Sequence, residues 1–335
     1  MTALRLIALN FFALALLEAL LVFAEDPETI ARAKDEKGLF WYSSTASDDA
    51  RQLISAFNKK YPFIEIRHVR GGTEQVLRRI DTEARAGVLQ ADVIDVNGLY
   101  GGVLLERGYW IPYFSPETRS YPPELKDPKG RWSSIFLLTL VPSLNSRLVA
   151  LDARPKSWED LLHPSWKGKL GIVDTGVLFY AGIKSYMGEK NGEQYLHRLR
   201  ANNPIIVNGF TLAVNQLAAG EYPVLATTYG HRVEQLIARG APIDWVRSDA
   251  VFVMPQIIGL VGRGKAPHAA KLWMDFLISQ EGQRVFRDLR RIPAHPKVDP
   301  IPSRLTRGVK LHYVGVTERA DSYNHFMKSF REIFR

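Results

Sequence analysis

The chain has 335 residues, of which 46% are hydrophobic, and this length and apolar content predict two globular lobes and exclude an intrinsically disordered protein. The absence of cysteine excludes disulfides, thiolate zinc sites and a cysteine nucleophile. The net charge of +9 favours an acidic solute, an anionic membrane face or nucleic acid as partner, but the basic residues are scattered among 35 acidic ones, which is typical of a solvated basic surface.

The first 24 residues are predicted to be a signal peptide. Arg5 precedes an apolar run that ends in Val22-Phe23-Ala24, whose small residues suit a secretory cleavage site. Glu18 and Asn10 oppose membrane insertion, and an uncleaved anchor is the alternative. We therefore expect export to the periplasm and a soluble remainder.

Two strand–helix repeats follow. Residues 38–42 predict a strand, Ser43-Ser44-Thr45 a polar loop and residues 48–60 a helix. The second repeat has a strand at 64–69, the loop Gly71-Gly72-Thr73, a helix at 74–86, a strand at 91–96 and then Asn97-Gly98. Strands that alternate with helices imply a parallel sheet, and such sheets bind ligands at the carboxyl ends of their strands.

The middle of the chain repeats this pattern. Strands predicted at 135–140 and 147–150 carry the chain to a second lobe. There we predict strands at 170–173 and 222–227 and helices at 177–187, 193–201, 212–219 and 233–239. The loops Asp174-Thr175-Gly176, Asn208 to Thr211 and Thr228-Tyr229-Gly230 lie between them.

The last third contains an apolar strand at 251–261 and one long helix at 267–289. From Arg319 onwards, aromatic and aliphatic residues recur at helical spacing, which predicts a core-packing helix rather than a membrane or partner helix.

Motifs of catalysis are absent from the sequence. It has no Gly-x-Ser-x-Gly elbow, no His-Glu-x-x-His and no Walker loop, and Gly262-Arg-Gly264 lacks the third glycine of a dinucleotide fingerprint. The chain is predicted not to be an enzyme, with no catalytic residue and no cofactor. A secreted enzyme on a similar two-lobed scaffold is the rival interpretation, and a nucleic-acid-binding protein is excluded for want of clustered basic and aromatic residues.

Polar loops at strand ends are the positive signal. Hydroxyls and free backbone N–H groups at helix N-termini hold carboxylate, phosphate or phosphonate groups. The predicted ligand-binding residues are Ser43, Ser44, Thr45, Thr73, Asn97, Thr175, Gly176, Thr211, Thr228 and Tyr229.

Several segments resemble the periplasmic solute-binding proteins of ABC importers, in particular the group of bacterial ferric-iron-binding proteins. The more specific ones are Trp-Lys-Gly-Lys at 166–169 and the segment from Phe276-Leu277 to Gln280-Glu-Gly-Gln283. The others are at 39–44, 49–62, 91–96, 164–172 and 219–221.

The resemblance implies an α/β, type II two-lobed periplasmic binding protein fold. Each lobe is a mixed, mostly parallel sheet flanked by helices, and crossing strands form the hinge. Lobe 1 would be 25–138 plus 253–300 and lobe 2 would be 139–252, with 301–335 packing across both. A monomer would close on a small solute and deliver it to an inner-membrane permease, with no bond broken.

Iron-binding members of this group hold Fe³⁺ through two adjacent tyrosines, a histidine and a glutamate. By resemblance the tyrosines fall on Thr228 and Tyr229, the histidine near Ala46 and the acid near Asn97. Only one tyrosine remains, whereas the anion-holding loop maps onto Thr175-Gly176-Val177 and stays suitable. An anionic solute is therefore the preferred ligand. Ferric iron through Tyr229 and His231 is the alternative.

Overall fold

The computed structural model describes residues 26–174, 176–316 and 320–334. The predicted signal peptide, 1–24, lies outside the described residues. Within the described part of the chain, no helix is both long and apolar enough to span a bilayer.

Twelve strands form one mixed sheet in the described residues. Eight of them follow the order β2-β1-β3-β10-β5-β8-β6-β7, while β4 and β12 pair with β10, and β9 and β11 pair with β5. The strands are β1 (Gly38–Ser43), β2 (Glu65–Arg70), β3 (Val93–Asn97), β4 (Trp110–Ile111), β5 (Ser133–Asn145), β6 (Leu170–Val173), β7 (Ile205–Val207), β8 (Val224–Tyr229), β9 (Ile243–Trp245), β10 (Val251–Val261), β11 (Ile292–Pro293) and β12 (Leu311–Tyr313).

Eleven α-helices flank this sheet in the same part of the chain. They are α1 (Pro27–Glu36), α2 (Ser47–Lys60), α3 (Thr73–Arg85), α4 (Gly98–Glu106), α5 (Val177–Met187), α6 (Glu189–Ala201), α7 (Phe210–Ala219), α8 (Gly230–Ile237), α9 (Pro267–Ile278), α10 (Gln280–Asp288) and α11 (Ala320–Phe334).

The sheet consists of two parallel groups joined by two long antiparallel strands. In the first group β1 is parallel to β2 and β3, and in the second β6 is parallel to β7 and β8. The strands β5 and β10 are buried throughout, and β5 pairs first with β10 and then with β8. The predicted mixed α/β, two-lobed fold class is confirmed, because two parallel units are linked by crossing strands.

Apolar spacing on the helices explains the packing of the first group. Along α2, Ala50, Leu53 and Phe57 recur at helical spacing and are buried. The ring of Phe57 meets Trp273 of α9 edge-on, with centroids 5.1 Å apart. This contact holds α2 against α9.

The C-terminal helix packs on both parts of the molecule. Met327, Phe330, Ile333 and Phe334 of α11 are buried, which confirms the prediction of a core-packing stripe. The helix contacts α4 beside the first group and α5 and α6 beside the second.

Two predicted elements are wrong. Residues 147–150 do not form a strand: Asn145 Oδ1 accepts from the backbone N–H of Arg147, and the Asn145 carbonyl accepts from Leu148 and Val149, so β5 ends in a turn. The helix predicted at 267–289 is broken at Ser279, whose extended backbone ends α9 and whose Oγ accepts from Gly282 N to begin α10.

Candidate ligand-binding cleft

A cleft of about 1230 Å³ lies where the carboxyl ends of the two parallel groups face each other. Five residues that precede helices line it: Ala46, Gly72, Asn97, Gly209 and Tyr229. The N-termini of α2, α3, α4, α7 and α8 therefore point towards one space. Because a helix N-terminus carries a partial positive charge, their combined field favours an anion.

Most of these helix starts lack a side-chain cap. Ala46, Gly72, Gly209 and Tyr229 cap no first-turn N–H group through a side chain, and only Asn97 does, by accepting from Leu99 N at 2.9 Å. Helices without such caps leave their first N–H groups for water or a ligand.

Arginines outnumber carboxylates on the cleft walls. Six guanidinium groups line the cleft, and they belong to Arg70, Arg78, Arg232, Arg239, Arg290 and Arg291. Four carboxylates accompany them, those of Asp48, Asp49, Glu74 and Asp288. Among the residues that the structure describes, only Arg78 and Arg291 of these six pair with a carboxylate, those of Glu74 and Asp49. Arg232 Nη1 donates to Gln235 Oε1 instead. Arg70, Arg239 and Arg290 are therefore the cations most available to an anionic solute.

The most buried of these cations is Arg291, which joins the two sides of the cleft. Its Nη2 lies 2.6 Å from Asp49 Oδ2, with side chains 7% and 10% exposed, and its guanidinium lies over the Phe136 ring. Its Nη1 lies 3.4 Å from His231 Nε2 on α8. Burial, reinforced by Arg291 and Arg232, holds the pKa of His231 well below its ordinary value, so its imidazole is neutral.

Polar side chains below the first group form a second network. Ser43 Oγ and Thr45 Oγ1 both donate to Asp95 Oδ1, at 2.9 and 3.1 Å, and Gln256 Nε2 donates to Ser44 Oγ at 3.0 Å. Burial raises the pKa of Asp95 to about 6, against the opposing effect of the hydrogen bonds it accepts. This network positions the loop that carries Ser44 and Thr45.

An aromatic wall closes the side of the second group. Phe210 stacks on Tyr229 with centroids 4.3 Å apart, and Tyr229 stacks on His231 at 5.5 Å. Burial raises the pKa of Tyr229 above its ordinary value, so the phenol keeps its proton. The wall offers an apolar surface to the carbon skeleton of a solute.

The structure brings six of the predicted ligand residues to the cleft. Those that line it are Ser44, Thr45, Thr73, Asn97, Thr211 and Tyr229. Ser43 and Thr228 are fully buried behind it, and Gly176 packs against the Phe330 ring. Thr175 lies outside the described residues. Contact of any of these residues with a ligand stays a prediction.

Sequence reasoning missed the residues that supply the charge of the cleft. By sequence alone Arg291, Arg232 and Arg70 belong to the scattered surface charge, and no pattern marks Gln256 or Phe210, yet all five line the cleft. The only available signal was the Arg290-Arg291 doublet at the end of a predicted helix. Its burial depends on Asp49, which lies 242 positions earlier.

The groups proposed for ferric iron have poor surroundings for a cation. In the part of the chain that is described, no three His, Cys, Asp or Glu side chains are placed to hold a metal ion. The Tyr229 phenol is stabilised in its protonated form, and the His231 Nε2 faces the Arg291 guanidinium. Ferric iron prefers phenolate and carboxylate oxygens, and a neighbouring guanidinium repels it.

Comparison with protein families identifies one family for this chain. The family model described as bacterial extracellular solute-binding protein matches residues 91–316. A search of curated protein sequences finds no match.

Solved structures share the fold at low sequence identity. The substrate-binding protein of an ABC transporter from Agrobacterium tumefaciens has a TM-score of 0.78 and 17% identity over 89% of this chain and 94% of that one. The periplasmic binding protein AfuA from Actinobacillus pleuropneumoniae, with exogenous fructose-6-phosphate bound, has a TM-score of 0.78 and 22% identity over 89% and 99%. Iron-bound HitA from Pseudomonas aeruginosa has a TM-score of 0.72 and 19% identity over 88% and 99%.

Proposed function

The chain belongs to the bacterial extracellular solute-binding protein family, and from this premise we propose that it captures a small anionic solute for an ABC importer. The solute is a phosphorylated, phosphonate or carboxylate compound. The protein is exported to the periplasm by its signal peptide, works as a monomer, and delivers the solute to an inner-membrane permease. No bond is broken, because binding energy that favours a closed form is the whole mechanism.

The observation that carries the proposal is the charge of the cleft. Five helix N-termini and six arginines face one space of about 1230 Å³, a size that suits a small organic molecule. The aromatic wall of Phe210 and Tyr229 adds a surface for the carbon skeleton. A cleft of this kind binds an anion more tightly than a neutral solute or a cation.

Neighbouring structures favour two ligand classes. AfuA was solved with fructose-6-phosphate, which is an anion, and HitA with iron. The protonated Tyr229 and the guanidinium beside His231 support the first class for this chain.

Thermal denaturation of refolded protein tests the proposal. Unfolding and refolding removes carried-over ligand, and phosphorylated, phosphonate and carboxylate solutes are then added one at a time. A solute at one hundred times its Kd stabilises the folded state by about 2.7 kcal/mol, so we expect a clear rise of Tm with at least one of them. If no anionic solute raises Tm, the anion hypothesis is wrong. If Fe³⁺ instead produces a tyrosinate charge-transfer band that Tyr229→Phe abolishes, iron is the cargo.

Two arginines of one strand provide a matched pair of variants. Arg70, at the end of β2, lines the cleft, whereas Arg67 of the same strand pairs with Glu65 outside it. We expect Arg70→Gln to weaken binding of the stabilising solute and Arg67→Gln to leave it unchanged. Equal effects would show that only the overall charge of the protein matters.

A further inference from the structure

His231 is held as a hydrogen-bond donor by Arg291. A guanidinium has no acceptor atom, so the contact of Arg291 Nη1 with His231 Nε2 requires the imidazole to accept there. The proton of the neutral ring then lies on Nδ1. That atom is buried and has no partner among the described residues, although His231 lines the cleft.

Asn97 is held as a donor in a different way. Its Oδ1 accepts from Leu99 N, which fixes the orientation of the amide. Its Nδ2 is buried, and the described residues offer it no acceptor. Asn97 is 3% exposed and lines the cleft, so an oxygen atom of a ligand is the partner that this amide lacks.

Ser44 is the third donor. Its Oγ accepts from Gln256 Nε2, which leaves the hydroxyl proton for the cleft. Gln256 is also the β10 partner of Asn97 and, on its other side, of Phe136, over whose ring Arg291 lies. Ser44, Asn97 and His231 all line the cleft.

Resting on the proposed function, we propose that this donor floor, Ser44, Asn97 and His231, selects an oxyanion head group that carries no proton. A dianionic phosphate monoester or a sulfate ester satisfies all three donors. A monoprotonated phosphate must point its own O–H at a donor or find an acceptor elsewhere. Each carboxylate that lines the cleft already pairs with a guanidinium: Asp49 with Arg291, Asp48 with Arg51, Glu74 with Arg78 and Asp288 with Arg287.

The charged and titratable groups around the floor are two guanidinium groups, one carboxylate behind the cleft lining and two phenols. Arg291 and Arg232 flank His231. Asp95 is fully buried and does not line the cleft, and its Oδ1 accepts hydrogen bonds from Ser43 and Thr45. The phenols of Tyr100 and Tyr229 keep their protons, since burial raises the pKa of both, and a neutral phenol oxygen is a weaker acceptor for a phosphate proton than a carboxylate is.

Glucose 6-phosphate and glucose 6-sulfate test the inference by isothermal titration calorimetry from pH 5 to 7. The second proton of a phosphate monoester titrates near pH 6, so its affinity should fall roughly tenfold between pH 7 and pH 5. The sulfate ester has no such proton. Any change of its affinity with pH therefore comes from titrating groups of the protein, including Asp95. A constant ratio of the two affinities across this range would overturn the inference. Failure of both esters to bind would overturn it too, while the proposed function would stand if another anionic solute raised Tm.

Asn97→Asp removes one donor with little change of shape. The new carboxylate still caps Leu99 N but presents an acceptor where Nδ2 stood. We expect sulfate ester affinity to fall at every pH, and phosphate ester affinity to lose its decrease at low pH, because the carboxylate accepts the phosphate proton. Asn191→Asp, exposed on α6, makes the same charge change away from the cleft and should bind like the wild type. Unaltered profiles in Asn97→Asp would contradict the inference. Should this variant fail to fold, the ratio measured on the wild type decides.

Discussion

Asp95 is a fully buried carboxylate beneath the cleft floor, and within the described ranges it has no ion-pair partner. Its Oδ1 accepts from Ser43 and Thr45, whereas its Oδ2 is buried without a partner. Desolvation raises its pKa to about 6, so the folded state holds the proton more tightly than the unfolded chain does. The ionised form of Asp95, which orients the Ser44 loop, therefore lowers the stability of the folded state.

The sign of its pH dependence follows from this shift. Between about pH 4 and pH 6 the folded protein binds more protons at Asp95 than the unfolded chain, so this residue lowers stability as pH rises. We expect Asp95→Asn, which keeps an acceptor for Ser43 and Thr45, to remove that effect. The free energy of unfolding of the variant, relative to wild type, should rise by about 2 kcal/mol from pH 4 to pH 7 in urea titrations.

Asp152→Asn is the control for this measurement, because Asp152 is exposed. If the differences of the two variants from wild type changed equally with pH, Asp95 would not be the buried titrating group.

At the scale of elements, the bend between α9 and α10 positions the arginines of the cleft. Ser279 interrupts the helix, and α10 then leads directly into Arg290 and Arg291. Gly282 lies so close to the carbonyl oxygen of Phe276 that a Cβ atom at this position would overlap it. Since backbone atoms cannot move aside as a side chain can, the bend requires glycine here.

Gly282→Ala should therefore lower the free energy of unfolding by about 1–3 kcal/mol or more, which is the usual cost of overpacking a core. It should also weaken solute binding, because the altered turn displaces Arg291. Urea denaturation and calorimetry with the stabilising solute measure the two effects. Gly315→Ala is the matched control, because nothing lies within 4 Å of its added Cβ. If Gly282→Ala changed neither the stability nor the solute affinity, the turn would accommodate a Cβ atom, and the bend would not require glycine.

At the scale of the whole molecule, the cleft lies between two parallel groups that β5 and β10 connect. The contact of Arg291 with His231 and the hydrogen bond from Gln235 Nε2 to the Leu289 carbonyl join the two sides near the cleft floor. Closure about the long strands would bring the walls together around a solute and exclude water from the arginines.

Spin labels measure such closure directly, because the chain has no native cysteine. Gln75→Cys on α3 and Asn215→Cys on α7 place labels at exposed positions on opposite walls. The stabilising solute should shorten the distance between them in pulsed electron paramagnetic resonance. Arg51→Cys with Thr82→Cys, both beside the first group, should show no change. An unaltered distance across the cleft at saturation would exclude closure.

Local chemistry made much of the fold predictable. Strand alternation, helix caps and glycine-terminated helices depend on residues a few positions apart, so the repeats of β1 to β3 and the strands β6 and β8 could be predicted from the sequence, whereas the short strand β7 was missed. The same holds for the polar loops that carry Ser44, Thr73 and Asn97. The failures at 147–150 and Ser279 arose where side-chain hydrogen bonds redirected the backbone.

The sequence by itself determined the class of protein and the polar strand ends, since both follow from local pattern and resemblance. Only the tertiary structure decided which side chains line the cleft. Arg291 meets Asp49 across 242 positions and His231 across 60, and Ser43 meets Asp95 across 52. Burial, protonation and hydrogen-bond direction arise from such long-range contacts, because desolvation acts only once distant segments have packed together.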